Sequence, residues 1–146
     1  WIINPPKNTP DRLTIEVYAN VNGTMLAMGA QEYRVRDLPK PSAYFEVDGE
    51  LIDEGKVSFV KLKNPNNKFI ASYGADGLVQ AKFEIVSFQV RLPSGTSISV
   101  QGNQFNKRAL DAISKLQLGS TIIIMSIKAK GQDGAEQSLK SLVIEL

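Results

Sequence analysis

Glu32-Tyr33-Arg34-Val35-Arg36-Asp37-Leu38-Pro39-Lys40-Pro41 is the stretch on which the fold of this chain turns. Tyr33 and Val35 alternate with Arg34 and Arg36, the pattern of a strand with one side half-buried. Pro39 and Pro41 then stop it, because proline has no N–H for a sheet ladder and pushes the preceding residue into an extended conformation. A strand that runs into a stiff Pro-x-Pro segment reads as an interdomain joint formed by Arg34, Arg36, Pro39 and Pro41. What the joint connects then decides the fold.

On its N-terminal side, Asn4–Pro10 holds three prolines and reads as an extended lead-in. Leu13, Ile15, Val17 and Ala19 share one strand face, with Thr14, Glu16 and Tyr18 opposite. Asn22-Gly23 is a strong hairpin signal, since both residues tolerate the positive φ of a type I′ turn. Met25–Met28 returns, Gly29-Ala30 leads into Tyr33–Arg36, and that makes a third strand. So few residues bury little surface on their own, so this piece reads as the closing part of a larger β domain or as part of the next one.

On the C-terminal side, Tyr44–Val47 and Lys56–Leu62 read as short strands around an acidic loop. Asn64-Pro65-Asn66-Asn67 and Gly74-Ala75-Asp76-Gly77 are turn clusters. Phe83 and Ile85 fall on one parity, whereas Val86, Phe88, Val90 and Leu92 fall on the other. One extra residue near Ile85–Val86 restores a single apolar face, which predicts a β-bulge there or a strand changing sheets. Pro93–Thr96 turns the chain into the Ile98 and Val100 strand. One helix is predicted over about 106–118: Asn106 caps it, Ala109, Leu110, Ala112, Ile113 and Leu116 recur at helical spacing, and Gly119 follows. Phe105 and Leu110 match a hydrophobic staple. Thr121–Lys128 is apolar on both parities, which predicts a core strand covered on both faces. After a turn at 131–134, Leu139–Leu146 closes the chain as a strand, expected at an edge open to a second copy or a partner. The fold class expected is mainly β: Ig-like β-sandwich domains with one helix.

Composition narrows the function. The 146 residues carry 17 basic and 15 acidic side chains with the signs mixed, unlike the concentrated basic face of a nucleic-acid binder. There is no histidine and no cysteine. That excludes Ser-His-Asp and Cys-His catalysis, imidazole zinc sites, disulfides and cysteine-ligated clusters. The longest apolar run, Ile122–Met125, is too short to span a bilayer, and no secretory signal opens the chain. Glu46, Asp48, Glu50, Asp53 and Glu54 form an acidic cluster, but without the Asp-x-Asp-x-Asp-Gly order of a calcium loop. It reads as a solvated loop. No catalytic, cofactor-binding or metal-ligating residue is assigned, and no enzymatic activity is expected. Lys107 and Arg108 open the helix where its dipole favours acidic residues instead, so they are candidates for contact with a carboxylate-bearing partner or an anion.

The order of these signals resembles the C-terminal periplasmic region of the GldM/PorM family of Bacteroidetes gliding and type IX secretion proteins. The resemblance is carried by Tyr33–Pro41, by the long strand Phe83–Leu92, by Gln101-Gly102-Asn103-Gln104-Phe105 leading into the helix, and by Ile127–Asp133-Gly134 before the last strand. It departs from the family at Lys40 and at Gln132. The resemblance implies a homodimeric, non-enzymatic stalk in the periplasm, held at the inner membrane by an N-terminal anchor that this sequence lacks. Its terminal domain would contact GldK/GldN (PorK/PorN)-type ring proteins under the outer membrane. The missing N-terminal part would meet a GldL/PorL-type motor partner. Residues 1–38 would then be the end strands of a penultimate β domain, and 39–146 the C-terminal β-rich domain. A different reading stays open: an Ig-like extracellular binding module of an adhesin or glycan-processing protein, with Tyr18, Tyr44 and Tyr73 as its available aromatics.

Overall fold

The computed structural model describes residues 10–35, 40–74, 81–132 and 134–146. The chain divides into two units, Trp1–Pro39 and Lys40–Leu146.

The first unit contains one hairpin of β1 (Arg12–Val21) and β2 (Thr24–Arg34), paired antiparallel from Val21 opposite Thr24 out to Arg12 opposite Arg34. Asn22 and Gly23 close it at φ +52° and +86°. The Gly23 N–H donates to Asn20 Oδ1 at 2.9 Å. Two strands therefore replace the three expected. Gly29-Ala30 lies within β2 and does not separate two strands; the ladder absorbs one extra residue, Met28, as a bulge opposite Val17 and Tyr18. Leu13, Ile15 and Ala19 are half-buried on β1, whereas every residue of β2 is exposed.

The second unit is built on two sheets. The smaller has the order β4 (Glu50–Ile52), β3 (Ser42–Val47), β6 (Lys68–Ser72). The larger runs β5 (Glu54–Lys56), β11 (Leu142–Glu145), β9 (Thr121–Gly131), β7 (Phe83–Arg91), β8 (Ser97–Gln101), and β10 (Glu136–Ser138) pairs with the far end of β9. Pairing is antiparallel except between β5 and β11. Alternation sends Ala43, Phe45, Val47, Phe69 and Ala71 of the smaller sheet into one core with Phe88, Val90, Val100, Ile122 and Ile124 of the larger. An aromatic seam joins the sheets. Phe69 lies 4.7 Å from Phe45, 4.6 Å from Phe88 and 5.1 Å from Phe105, centroid to centroid. Phe45, Phe69 and Phe88 are fully buried, and each contributes about 1.5–3 kcal/mol through removal from water. The mainly β, sandwich-like fold expected is the one observed.

The expected bulge is present at Val86. Ile85 faces Ala129 and Ser87 faces Lys128, which leaves Val86 as the extra residue on β7. A second irregularity follows on β9, between the Ser87–Lys128 and Gln89–Met125 pairs, and Ser126 adopts φ +51° there. The shift explains why Ile122 and Ile124, on one parity, and Ile127 and Ala129, on the other, are all buried. It also corrects the expectation of a strand covered on both faces, because Ile123 on the outer face is 36% exposed. The closing strand differs as well. It is shorter, only Leu142–Glu145, with β10 a separate strand before residue 139, and β11 is internal, with β5 hydrogen-bonded on its outer side.

Two short helices occur among the described residues. α1 (Phe59–Lys63) lies where a continued strand was expected. Phe59 and Leu62, three apart, share a helical face against the core, and Asn64-Pro65 ends the turn. α2 (Lys107–Ile113) begins as expected at Asn106 but stops well before residue 118. The Lys115 and Leu116 N–H groups donate to the carbonyls of Ala112 and Ile113, a tighter turn than an α-helix. Gly119, at φ +82°, caps nothing there; its N–H donates to the Leu146 carbonyl at 2.7 Å. Asn67, the one buried polar residue among those described, ties three elements together. Its Oδ1 accepts from the Asp48 N–H at 3.1 Å and its Nδ2 donates to the Lys61 carbonyl at 2.9 Å.

Candidate functional site

Arg34 ends β2, exposed and opposite Arg12, which itself pairs with Glu32 at 2.6 Å. Arg36 and Pro39 lie outside the described residues. Pro41 is buried at the start of the second unit, one residue before β3.

The acidic cluster is dispersed. Glu46 pairs with Lys68 at 3.6 Å and Asp48 with Lys61 at 3.1 Å. Glu50 stands on β4 of the smaller sheet and Glu54 on β5 of the larger. Among the described residues no three acidic side chains converge to hold a metal ion. Tyr44 and Tyr73 line one open groove of about 650 Å³ together with Glu50, Leu51 and Ile52. Tyr73 is committed edge-on to Phe83 at 5.6 Å. Tyr18 stands in the other unit, where its Oη donates to Glu16 Oε2 at 2.6 Å. That hydrogen bond to the carboxylate raises the Tyr18 pKa above 10.0.

Lys107 and Arg108 are placed by Asn106. Its Oδ1 accepts from the Ala109 N–H at 2.8 Å, which caps α2, while its Nδ2 donates to the Ser99 carbonyl on β8 at 3.3 Å. Ala109 and Ile113 are buried beneath the helix. Lys107, Arg108, Asp111 and Lys115 consequently remain outside and exposed. They border an open groove of about 600 Å³ whose opposite wall is the β7–β8 turn, with Leu92, Ile98 and Ala112 as its apolar lining. The turn is fixed by Leu92 N–H to Thr96 carbonyl and Gly95 N–H to Leu92 carbonyl bonds, both 2.9 Å. Across Leu92 a second groove of about 540 Å³ brings in Arg91 and Ile123. Asp111 and Lys115 follow Lys107 at spacings of four and eight, so their shared side was legible. Leu92 and Thr96 come from a distant segment and carried no such signal.

These features define a β-sandwich-like domain with open surface grooves that have charged borders and apolar linings. The model of the GldM C-terminal domain matches residues 39–146, so the chain belongs to the GldM family, components of gliding motility and type IX secretion. No curated protein matches the chain. No helix among the described residues is long and apolar enough to cross a membrane.

Proposed function

We propose that this chain is a structural, force-transmitting part of the type IX secretion and gliding machinery. Its C-terminal unit contacts GldK/GldN (PorK/PorN)-type ring proteins at the outer membrane. The observation that carries this reading is the family match over residues 39–146, which coincides with a unit built around one continuous core. A close-packed core transmits load because it has little room to deform. In the full-length protein the stalk is a homodimer anchored in the inner membrane, and its N-terminal part meets a GldL/PorL-type motor. The β1–β2 hairpin then belongs to a penultimate β domain, since a two-stranded ribbon alone is marginal in water. Arg34, Arg36, Pro39 and Pro41 form the joint, where fixed proline φ angles limit slack between the units.

Retention of purified ring proteins on the immobilised chain tests this reading. Retention by folded protein is expected; its absence overturns the proposed contact. Binding to arrayed glycans instead would favour the adhesin-type module.

A further inference from the structure

We infer that the groove between α2 and the β7–β8 turn is a docking site for an acidic, leucine-bearing segment of another polypeptide. The inference rests on the reading of this unit as a contact domain and names the chemistry of the contact. Three cations, Lys107, Arg108 and Lys115, border the groove against a single carboxylate, Asp111. None of the three has a carboxylate within ion-pair distance among the described residues, although Lys56, Lys61 and Lys68 of the same unit each have one. Arg91, likewise without an ion pair among the described residues, continues the positive border across Leu92.

Charge alone would suit any polyanion. The lining between the cations narrows the choice, because the half-buried Leu92 and Ala112, backed by the buried Ile98, present apolar surface that a phosphate or sugar sulfate cannot use. A peptide with alternating carboxylates and apolar side chains satisfies both: carboxylates reach the rim and apolar groups meet the lining. The site is also rigid, since Asn106 holds α2 to β8 and two backbone bonds hold the turn. A preformed groove loses little conformational entropy on binding.

The test is a ¹⁵N chemical-shift titration of the full chain with a short synthetic peptide alternating Glu and Leu. Shifts centred on Thr96, Lys107, Arg108, Asp111 and Lys115 are expected. The affinity should weaken about tenfold in a Lys107→Glu, Arg108→Glu, Lys115→Glu variant, and also on raising salt from about 50 to 500 mM. All three positions are exposed, so the amide spectrum elsewhere should be unchanged; Lys→Gln and Arg→Gln replacements should give an intermediate loss. Equal binding of a Gly-Glu peptide overturns the inference, because the groove then reads charge only. Absent shifts, or shifts centred elsewhere, also overturn it. So do shifts of the groove amides on concentrating the chain without peptide, which would make a second copy the occupant. Ring-protein retention is scored separately: undiminished retention by the charge-reversed variant removes the groove and leaves the proposed function standing.

Discussion

Replacing Phe69 with Ala should nearly unfold the C-terminal unit, because this ring is the point at which the two sheets meet. Phe69 is 1% exposed and touches rings from three other segments, Phe45 on β3, Phe88 on β7 and Phe105 ahead of α2. Phe→Ala in a core typically costs about 3–5 kcal/mol through lost transfer energy and the cavity left behind. Each aromatic pair adds about 0.5–1.5 kcal/mol beyond area, and those pairs are not additive, which puts the loss near the upper part of that range, at about 4 kcal/mol. For a domain of this size the midpoint of thermal unfolding should fall by roughly 15–25 °C. Far-UV circular dichroism in guanidinium is the suitable assay, since Trp1 lies outside the unit. The midpoint should drop with the slope unchanged. Phe69→Leu, which keeps most of the volume but loses the ring pairs, should cost only about 1–2 kcal/mol. A loss below about 1.5 kcal/mol for Phe69→Ala would refute the role of the seam in coupling the sheets.

Asn67→Ala strands the Asp48 N–H and leaves the Lys61 carbonyl with only the Asn64 N–H, and should cost about 1–3 kcal/mol with faster amide exchange at Asp48; an unchanged exchange rate would count against the clip. Asn106→Ala removes the α2 cap and the tie to Ser99, and should cost about 1 kcal/mol, with the Ala109 amide losing protection first. Gly at both Pro39 and Pro41 should leave the fold of 42–146 intact, at a cost of about 1 kcal/mol or less per site from added unfolded-state entropy, plus a further packing loss at the buried Pro41. The same double change should let the two units tumble more independently in ¹⁵N relaxation; identical tumbling would reduce the joint to a linker.

Much of the fold was legible because local chemistry and tertiary structure agree at particular residues. Asn22-Gly23 demanded a type I′ turn and made one. The parity change at Ile85–Val86 demanded a bulge, and Val86 is the extra residue. Where the sequence reading failed, a longer-range contact decided. Lys56–Leu62 alternates weakly enough to pass as a strand, but parallel pairing with β11 ends at Lys56 and Phe59 and Leu62 then turn inward as a helix. The β9 strand looked apolar on both faces because the bulge at Ser126 was invisible, so two parities that serve one face were assigned to two. Asp48-Gly49 was taken as part of a loop, although both residues adopt positive φ and close the β3–β4 hairpin. At the candidate site, the exposed cations of α2 were readable from helical spacing. The Pro93–Thr96 turn was legible too, but its placement opposite α2, and the dispersal of the acidic cluster over two sheets, were set by topology and left no local trace.

The most direct test of the central claim is the binding of purified GldK/GldN-type ring proteins to the immobilised chain, measured by interferometry at physiological salt. Saturable binding by the folded chain, lost when the C-terminal unit is unfolded through Phe69→Ala and warming, is the predicted result. No binding by the folded chain, or equal binding after the unit has unfolded, would contradict it.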